Sequence, residues 1–249
     1  MIKFRRMFST DSAKAIKADK YGFLNAINYM APHTTAGVGN LCSHSTAGCR
    51  DLCLGMYSGQ ASMVKDLEKD INNVRASRIN KAKYFMEDMP AFLDEMAGHI
   101  KNLHSQADRK NKTLAVRLNG STDIAFERIK NRDGKTMFDL FPNTQFIDYT
   151  KNPKRAISSK MPNNYHLTFS LSEENEADAI EVLKHGVNVA VVFESKPFPK
   201  KYLGYKVIDG TEHDLRHLDP QPVIVGLDPK GIKAKNDTSG FVVREYDHG

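Results

Sequence analysis

Tryptophan is absent from this chain of 249 residues, and cysteine occurs only three times. So small and odd a cysteine count argues against a disulfide framework. It points to a reducing, cytoplasmic setting in which the thiols are free or bound to a metal. No run of about 18 apolar residues is present, so no membrane span is expected. The basic start, MIKFRRMFSTDSAKAIKADK, lacks the apolar stretch of a secretory signal. The patterns G-x-G-x-x-G, G-x-S-x-G, H-E-x-x-H and G-x-x-x-x-G-K-S/T are missing. Dinucleotide, serine-hydrolase, zincin and P-loop chemistry therefore lose support. With no Pro-, Gly- or Ser-rich linker and no internal repeat, residues 1–249 read as one domain.

What is present is uneven. Apolar residues make up 40% and charged residues 27%, ordinary for a globular protein. The formal net charge of +6 permits a polyanionic partner without requiring one. All three cysteines fall in NLCSHSTAGCRDLCLGMYSG (residues 40–59), with the spacing C-x6-C-x3-C at Cys42, Cys49 and Cys53. Thiolates this close in sequence suit a soft cation, either zinc or an iron–sulfur cluster. For zinc, the fourth ligand would be His44, His33 or a histidine from elsewhere; for a cluster on three cysteines, one iron stays open. Arg50 and Lys65 would lower the thiol pKa values or balance cluster charge.

Residues 1–20 read as an arm, and residues 22–33 as a first strand ending at Pro32. From Ala61 the apolar spacing predicts helix: Val64, Leu67, Ile71 and Val74, then Ala82, Phe85, Met86 and Met89. Pro90 opens a second helix, so residues 61–108 form a helical elaboration. Arg75, Arg78 and Lys81 on the first helix read as a solvated face or a phosphate-facing edge. Beyond residue 112, strand-like runs at 113–120, 144–150, 165–172, 187–195, 205–210 and 222–228 alternate with helix-like segments at 152–160 and 172–186. FVVREY in the tail adds one short strand-like stretch. Strands alternating with helices predict parallel βαβ units. The expected fold is α/β, a complete or incomplete TIM-like β/α barrel with an N-terminal helical elaboration and a cysteine metal loop. An open doubly wound sheet is the alternative.

In a parallel barrel the active residues lie just past the C-terminal strand ends. That rule selects Asn119, Ser121 and Asp123; Asp148 and Lys151; Ser170; and Asp209 with His213. Asp123 and Asp209 are the leading carboxylates, each following an apolar strand and lying near glycine, which permits close backbone approach to a ligand. Asp148, inside a strand, must be paired, face the barrel mouth or be protonated. Arg117 either forms a buried pair with Asp148 or anchors a substrate. His213 is a candidate base or metal ligand.

The order APHTTAG, LCSHSTAGCRDLCL, RLNGSTDI, FIDYTKNPKR, YHLTFS, VAVVF, VIDGTEHDLRHLDP and VIVGL resembles the phage "gene product 88"-type proteins. Through them it resembles the DpdA enzymes, distant relatives of tRNA-guanine transglycosylases. The likeness runs over residues 22–243. It implies a glycosyltransferase in the host-cell cytoplasm that exchanges guanine in DNA for a 7-deazaguanine base. An aspartate would attack C1′ and a second carboxylate would shuttle the proton. By position Asp123 matches the early-barrel aspartate, Asp209 the later nucleophile, and Asp148 its substitute. Asn119 and Ser121 would read the base edge, with Arg117, Lys151, Ser170 and His213 as further substrate contacts. Cys42, Cys49, Cys53 and His44 would hold zinc, although transglycosylases carry their zinc cysteines late in the chain. Two rival readings stand beside this one. A cysteine triad after the first barrel strand also resembles radical S-adenosylmethionine enzymes, whose usual spacing is C-x3-C-x2-C. The other rival is a zinc-stabilised nucleic-acid-binding protein without catalysis.

Overall fold

The computed structural model describes residues 4–246; residues 1–3 of the predicted arm lie outside them. The elements in chain order are β1 (Phe8–Ser9), α1 (Ala13–Lys17), β2 (Phe23–Asn28), α2 (Ala47–Asp51), α3 (Leu54–Tyr57), α4 (Asn73–Glu87) and α5 (Met89–Arg109). There follow β3 (Thr113–Arg117), α6 (Met137–Leu140), β4 (Gln145–Thr150), α7 (Pro153–Ala156), β5 (Tyr165–Ser170) and α8 (Glu176–Lys184). The chain closes with β6 (Val189–Val192), β7 (Lys201–Tyr202), β8 (Tyr205–Asp209), β9 (Ile224–Leu227) and α9 (Ile232–Lys235). Among the described residues no helix is long and apolar enough to cross a membrane.

The strands form one nine-stranded sheet in the order β1-β2-β3-β4-β5-β6-β9-β8-β7. Strands β2 to β6, then β9 and β8, pair in parallel; β1 and β7 are antiparallel edges. All seven predicted strands are present. The tail stretch FVVREY gives only a bridge from Val243 to Phe193. The fold is α/β as expected, but the sheet is not closed: its order ends at β1 and β7. The chain between β6 and β9 makes the β7–β8 hairpin instead of a helix, and β9 inserts between β6 and β8.

One face of the sheet packs on helices. Leu24, Ala26, Leu114, Val116 and Phe146 share a core with Phe92, Leu93, Met96 and Ile100 of α5, whose apolar residues recur every three or four positions. The other face wraps a short segment after β8. There Leu215 packs with Phe23, Ala115 and Ile147, and the His217 ring meets Phe23 edge-on at 5.3 Å. A Cβ on Gly210, just beyond β8, would lie 2.7 Å from Arg216 Nη1. In a flat sheet β2 and β8 would be roughly 29 Å apart, six spacings of about 4.8 Å. Contact with both shows that the sheet curls around residues 213–217.

The predicted helix over residues 61–72 is replaced by a short 3-10 turn and irregular chain. The Asp70 carboxylate accepts from the backbone N–H of Lys65 and Asp66, and Asp66 from those of Glu68 and Lys69. These side-chain bonds compete with helix formation. Arg75, 2% exposed, completes the override. Its guanidinium donates to the carbonyls of Ala61 (2.7 Å), Leu67 (2.9 Å), Asp70 (2.8 Å) and Met56 (2.8 Å). Arg78 stacks on Tyr29 at 4.7 Å and donates to the Gly55 carbonyl. Lys81 is buried, donates to Met7 O (3.1 Å) and Asn28 Oδ1 (3.3 Å), and is pushed down to about 7 by burial. Arg75, Arg78 and Lys81 are therefore turned inward, neither a solvated nor a phosphate-facing edge.

Arg75→Ala leaves four carbonyls without that donor, and we expect it to cost about 3 kcal/mol in urea unfolding. Arg75→Lys should recover little, because an ammonium has no planar fork. A lysine variant within about 0.5 kcal/mol of the parent, the level of an ordinary surface substitution, would contradict this role.

Candidate functional site

The C-terminal ends of β2 to β5 are built from one interlocked set of loops. After β2 the chain turns at His33, whose backbone lies in the left-handed region (φ 52°). The His33 N–H points to Cys42 Sγ at 3.3 Å, and the Cys42 thiol points to the Ser121 carbonyl at 3.8 Å. Ser121 Oγ donates to Met30 O at 2.6 Å, and Asp123 N donates to Leu41 O at 2.9 Å. Gly55 is tight for a physical reason: a Cβ there would lie 2.7 Å from Ser121 Cβ. The cysteine segment is thereby fastened to the loop after β3.

Cys42, Cys49 and Cys53 are all free and half-buried. Burial pushes the Cys42 thiol up to about 12 and the Cys53 thiol up to about 11. Cys49 and Cys53 each raise Cys42 further, and Cys49 raises Cys53, so the three share one electrostatic neighbourhood; Arg78 and Lys151 oppose the shift at Cys53. Among the described residues no three His, Cys, Asp or Glu side chains form a group that could hold a metal ion as they stand. His44 is exposed, with its ring on Ser43 Oγ at 2.9 Å. The His33 ring is on Thr34 Oγ1 at 2.8 Å.

The selected carboxylates have separate fates. Asp123 accepts from Thr150 Oγ1 (3.1 Å), Lys151 N (2.9 Å) and Arg155 Nη1 (2.7 Å). Arg155, 2% exposed, also forks onto both oxygens of Glu127 at 2.8 and 2.9 Å. Asp148 is fully buried, accepts from Asn119 N, Asn119 Nδ2 and Tyr165 Oη, and is raised to about 6 by burial. Asn119 uses its carbonyl oxygen on Thr122 and Ile124, so its amide organises the loop. Asp209 lies at the end of β8, half exposed, held by Lys196 and by Thr211 N and Oγ1.

Arg117 and Asp148 do not pair. Arg117 lies on the concave face and ion-pairs with Asp214, whose other oxygen accepts from Tyr149 Oη at 3.0 Å. Asp148 shares the opposite, helix-covered face with Phe146, by strand alternation. His213 is set in the same concave segment, its Nδ1 accepting from Leu215 N at 3.2 Å and its ring 4.5 Å from Tyr21.

The structure thus gathers Cys42, Cys49, Cys53, Ser121, Asp123, Lys151 and Ser170 at one edge, with Lys151 Nζ on Ser170 Oγ at 2.6 Å. Asp209 sits apart on the penultimate strand. Sequence reasoning passed over Arg155, Glu127 and Tyr165. KR in NPKRAISSK was the available signal for Arg155, an arginine just past a strand end with acids two loops away.

The Asp148 value carries a stability prediction. Its folded pKa lies above the ordinary carboxylate value near 3.8. Between about pH 4 and pH 6 the folded state holds a proton that the unfolded state has released, so this group's contribution falls as pH rises through that window and is flat above it. Asp148→Asn lacks that titration. Its melting-temperature deficit relative to the parent should be largest at pH 4 and shrink toward pH 6.5; a deficit that grows with pH would contradict the assignment.

Comparison with curated proteins finds no match, and neither does comparison with solved structures. The family model described as gene product 88 matches residues 5–245, nearly the whole length, and the chain therefore belongs to the gene product 88 family.

Proposed function

We propose that this chain is an iron–sulfur enzyme of the radical S-adenosylmethionine type, with Cys42, Cys49 and Cys53 as the cluster ligands. The observation that carries the reading is positional. The cysteine segment follows the first of seven parallel strands ordered β2-β3-β4-β5-β6-β9-β8, at their C-terminal edge. That succession is similar to part of a β/α barrel. The donor chemistry suits the group, because the three thiols influence one another and cationic Arg78 and Lys151 stand near Cys53 to offset cluster charge; among the described residues they are not gathered into a metal-holding group as they stand, so binding would have to draw them together. Neither His33 nor His44 has its ring on a cysteine, so an iron held by three cysteines would keep an open position.

When bound, such a cluster supplies single electrons to a ligand at its open iron. The protein's own part is to position. Arg78 holds the Gly55 carbonyl and fixes the turn after Cys53. Lys151 presents an ammonium between Ser170 and the Phe241 ring, 5.1 Å from the ring centroid, where it can meet an anionic group. Arg155 spends its charge on Asp123 and Glu127, holding the loops after β3 and β4 together.

Base exchange at guanine in DNA is the second reading, and Asp209 is the observation in its favour, as a half-exposed carboxylate beside Lys196. Asp123 supports it less, because three donors already occupy its oxygens. Zinc bound by the same cysteines in a nucleic-acid-binding protein would require a fourth ligand to turn toward them.

Anaerobic purification with iron and sulfide analysis separates the readings. We expect about four iron and four sulfide per chain, with absorbance near 400 nm, all lost in Cys49→Ala. A colourless zinc protein would overturn the proposal. If such a protein also releases labelled guanine from DNA, and the release disappears in Asp209→Ala, base exchange replaces it.

A further inference from the structure

The three cysteines are held by different devices. Cys42 is tied to His33 N and Ser121 O, and Cys53 precedes a turn gripped by Arg78. Cys49 rides on α2, a helix of five residues. So short a helix has no stability of its own in water and must be held from outside.

The hold comes from Glu173, in the loop after β5. Its Oε1 accepts from Gly48 N at 2.6 Å and its Oε2 from Thr46 Oγ1 at 2.9 Å. Thr46 is the N-cap of α2, and the same Oγ1 accepts from Cys49 N at 3.3 Å. One carboxylate, 125 residues further along the chain, therefore engages both the cap and the first turn of the helix that carries Cys49. Its negative charge also suits a helix N-terminus. The fit leaves no spare room: a Cβ on Gly48 would lie 2.5 Å from Ser239 Oγ and 2.9 Å from the Glu173 carboxylate. Glu173 is itself set by a turn in which Ser172 N donates to Asn175 Oδ1 (2.7 Å) and Asn175 Nδ2 to Ser170 O (3.1 Å). Glu174, next in sequence, is exposed and makes no such contact with α2.

We infer that Glu173 is the positioning residue for Cys49: it clamps α2 from the loop after β5 and holds that thiol where the other two can share a ligand with it. The part about a shared ligand rests on the proposed cluster; the clamp does not. The same loop begins at Ser170, the partner of Lys151, so one segment serves both the cysteine helix and the cationic side of the site.

The test has two readouts. In metal-free protein, alkylation of each cysteine is followed by mass spectrometry. Glu173→Ala should speed Cys49 about tenfold, the size of a lost helix cap, and leave Cys42 and Cys53 unchanged. In anaerobically reconstituted full-length protein, Glu173→Ala should lose most of its iron and Glu173→Gln should recover part of it. Equal acceleration of all three cysteines would mean general loosening and would overturn the inference, as would unchanged Cys49 reactivity. If Glu173→Ala does not fold, Glu173→Asp, one methylene short of Gly48 N, should show the same Cys49-selective rise. If the parent protein takes up no iron, the cluster reading fails, while the alkylation pattern still decides the clamp.

Discussion

Arg75 is the constraint on which the site depends. A guanidinium removed from water must satisfy its N–H groups inside the protein, and here it does so on carbonyls from residues 56 to 70. That requirement converts an apolar stretch with helical spacing into a folded-back loop. It also anchors the far end of the cysteine segment to α4. Arg78, one turn later, holds Gly55, and Gly55 in turn packs on Ser121 with no room for a side chain. Three cysteines on a long connection are thereby kept over the C-terminal ends of the strands.

A second arginine does the same for the opposite loops. Arg155 joins Asp123, Glu127 and Tyr165, and Tyr165 passes the network to Asp148 and Asn119. Most of the polar residues at the strand ends are therefore engaged in holding loops together. This decides how the site is read. Carboxylates whose oxygens are occupied make poor nucleophiles, whereas the thiols and the Lys151 ammonium keep chemistry to offer. The concave face carries its own buried pair, Arg117 with Asp214, closed over by Tyr149.

Much of the fold was legible in the residues because strands and turns are local. All seven strand runs were readable from their apolar content, and α5 from its spacing and from Pro90. The region from 61 to 72 was not, since its conformation depends on an arginine beyond it and on Asp66 and Asp70 bonding to nearby backbone. Open versus closed was hidden too: the insertion of β9 between β6 and β8 is a long-range pairing that no local pattern announces. At the site, residue positions were legible and partners were not. Arg117 and Asp148 lie on neighbouring strands, yet alternation places them on opposite faces. Glu173 reads locally as a first-turn acid of α8, but the helix begins at Glu176 and Glu173 turns to α2.

The chemistry proposed for this chain depends on what the cysteines hold. X-ray absorption on anaerobically purified protein addresses it directly. We expect an iron edge with sulfur ligands and iron–iron scattering. A zinc edge with a closed four-ligand shell and no iron would contradict it.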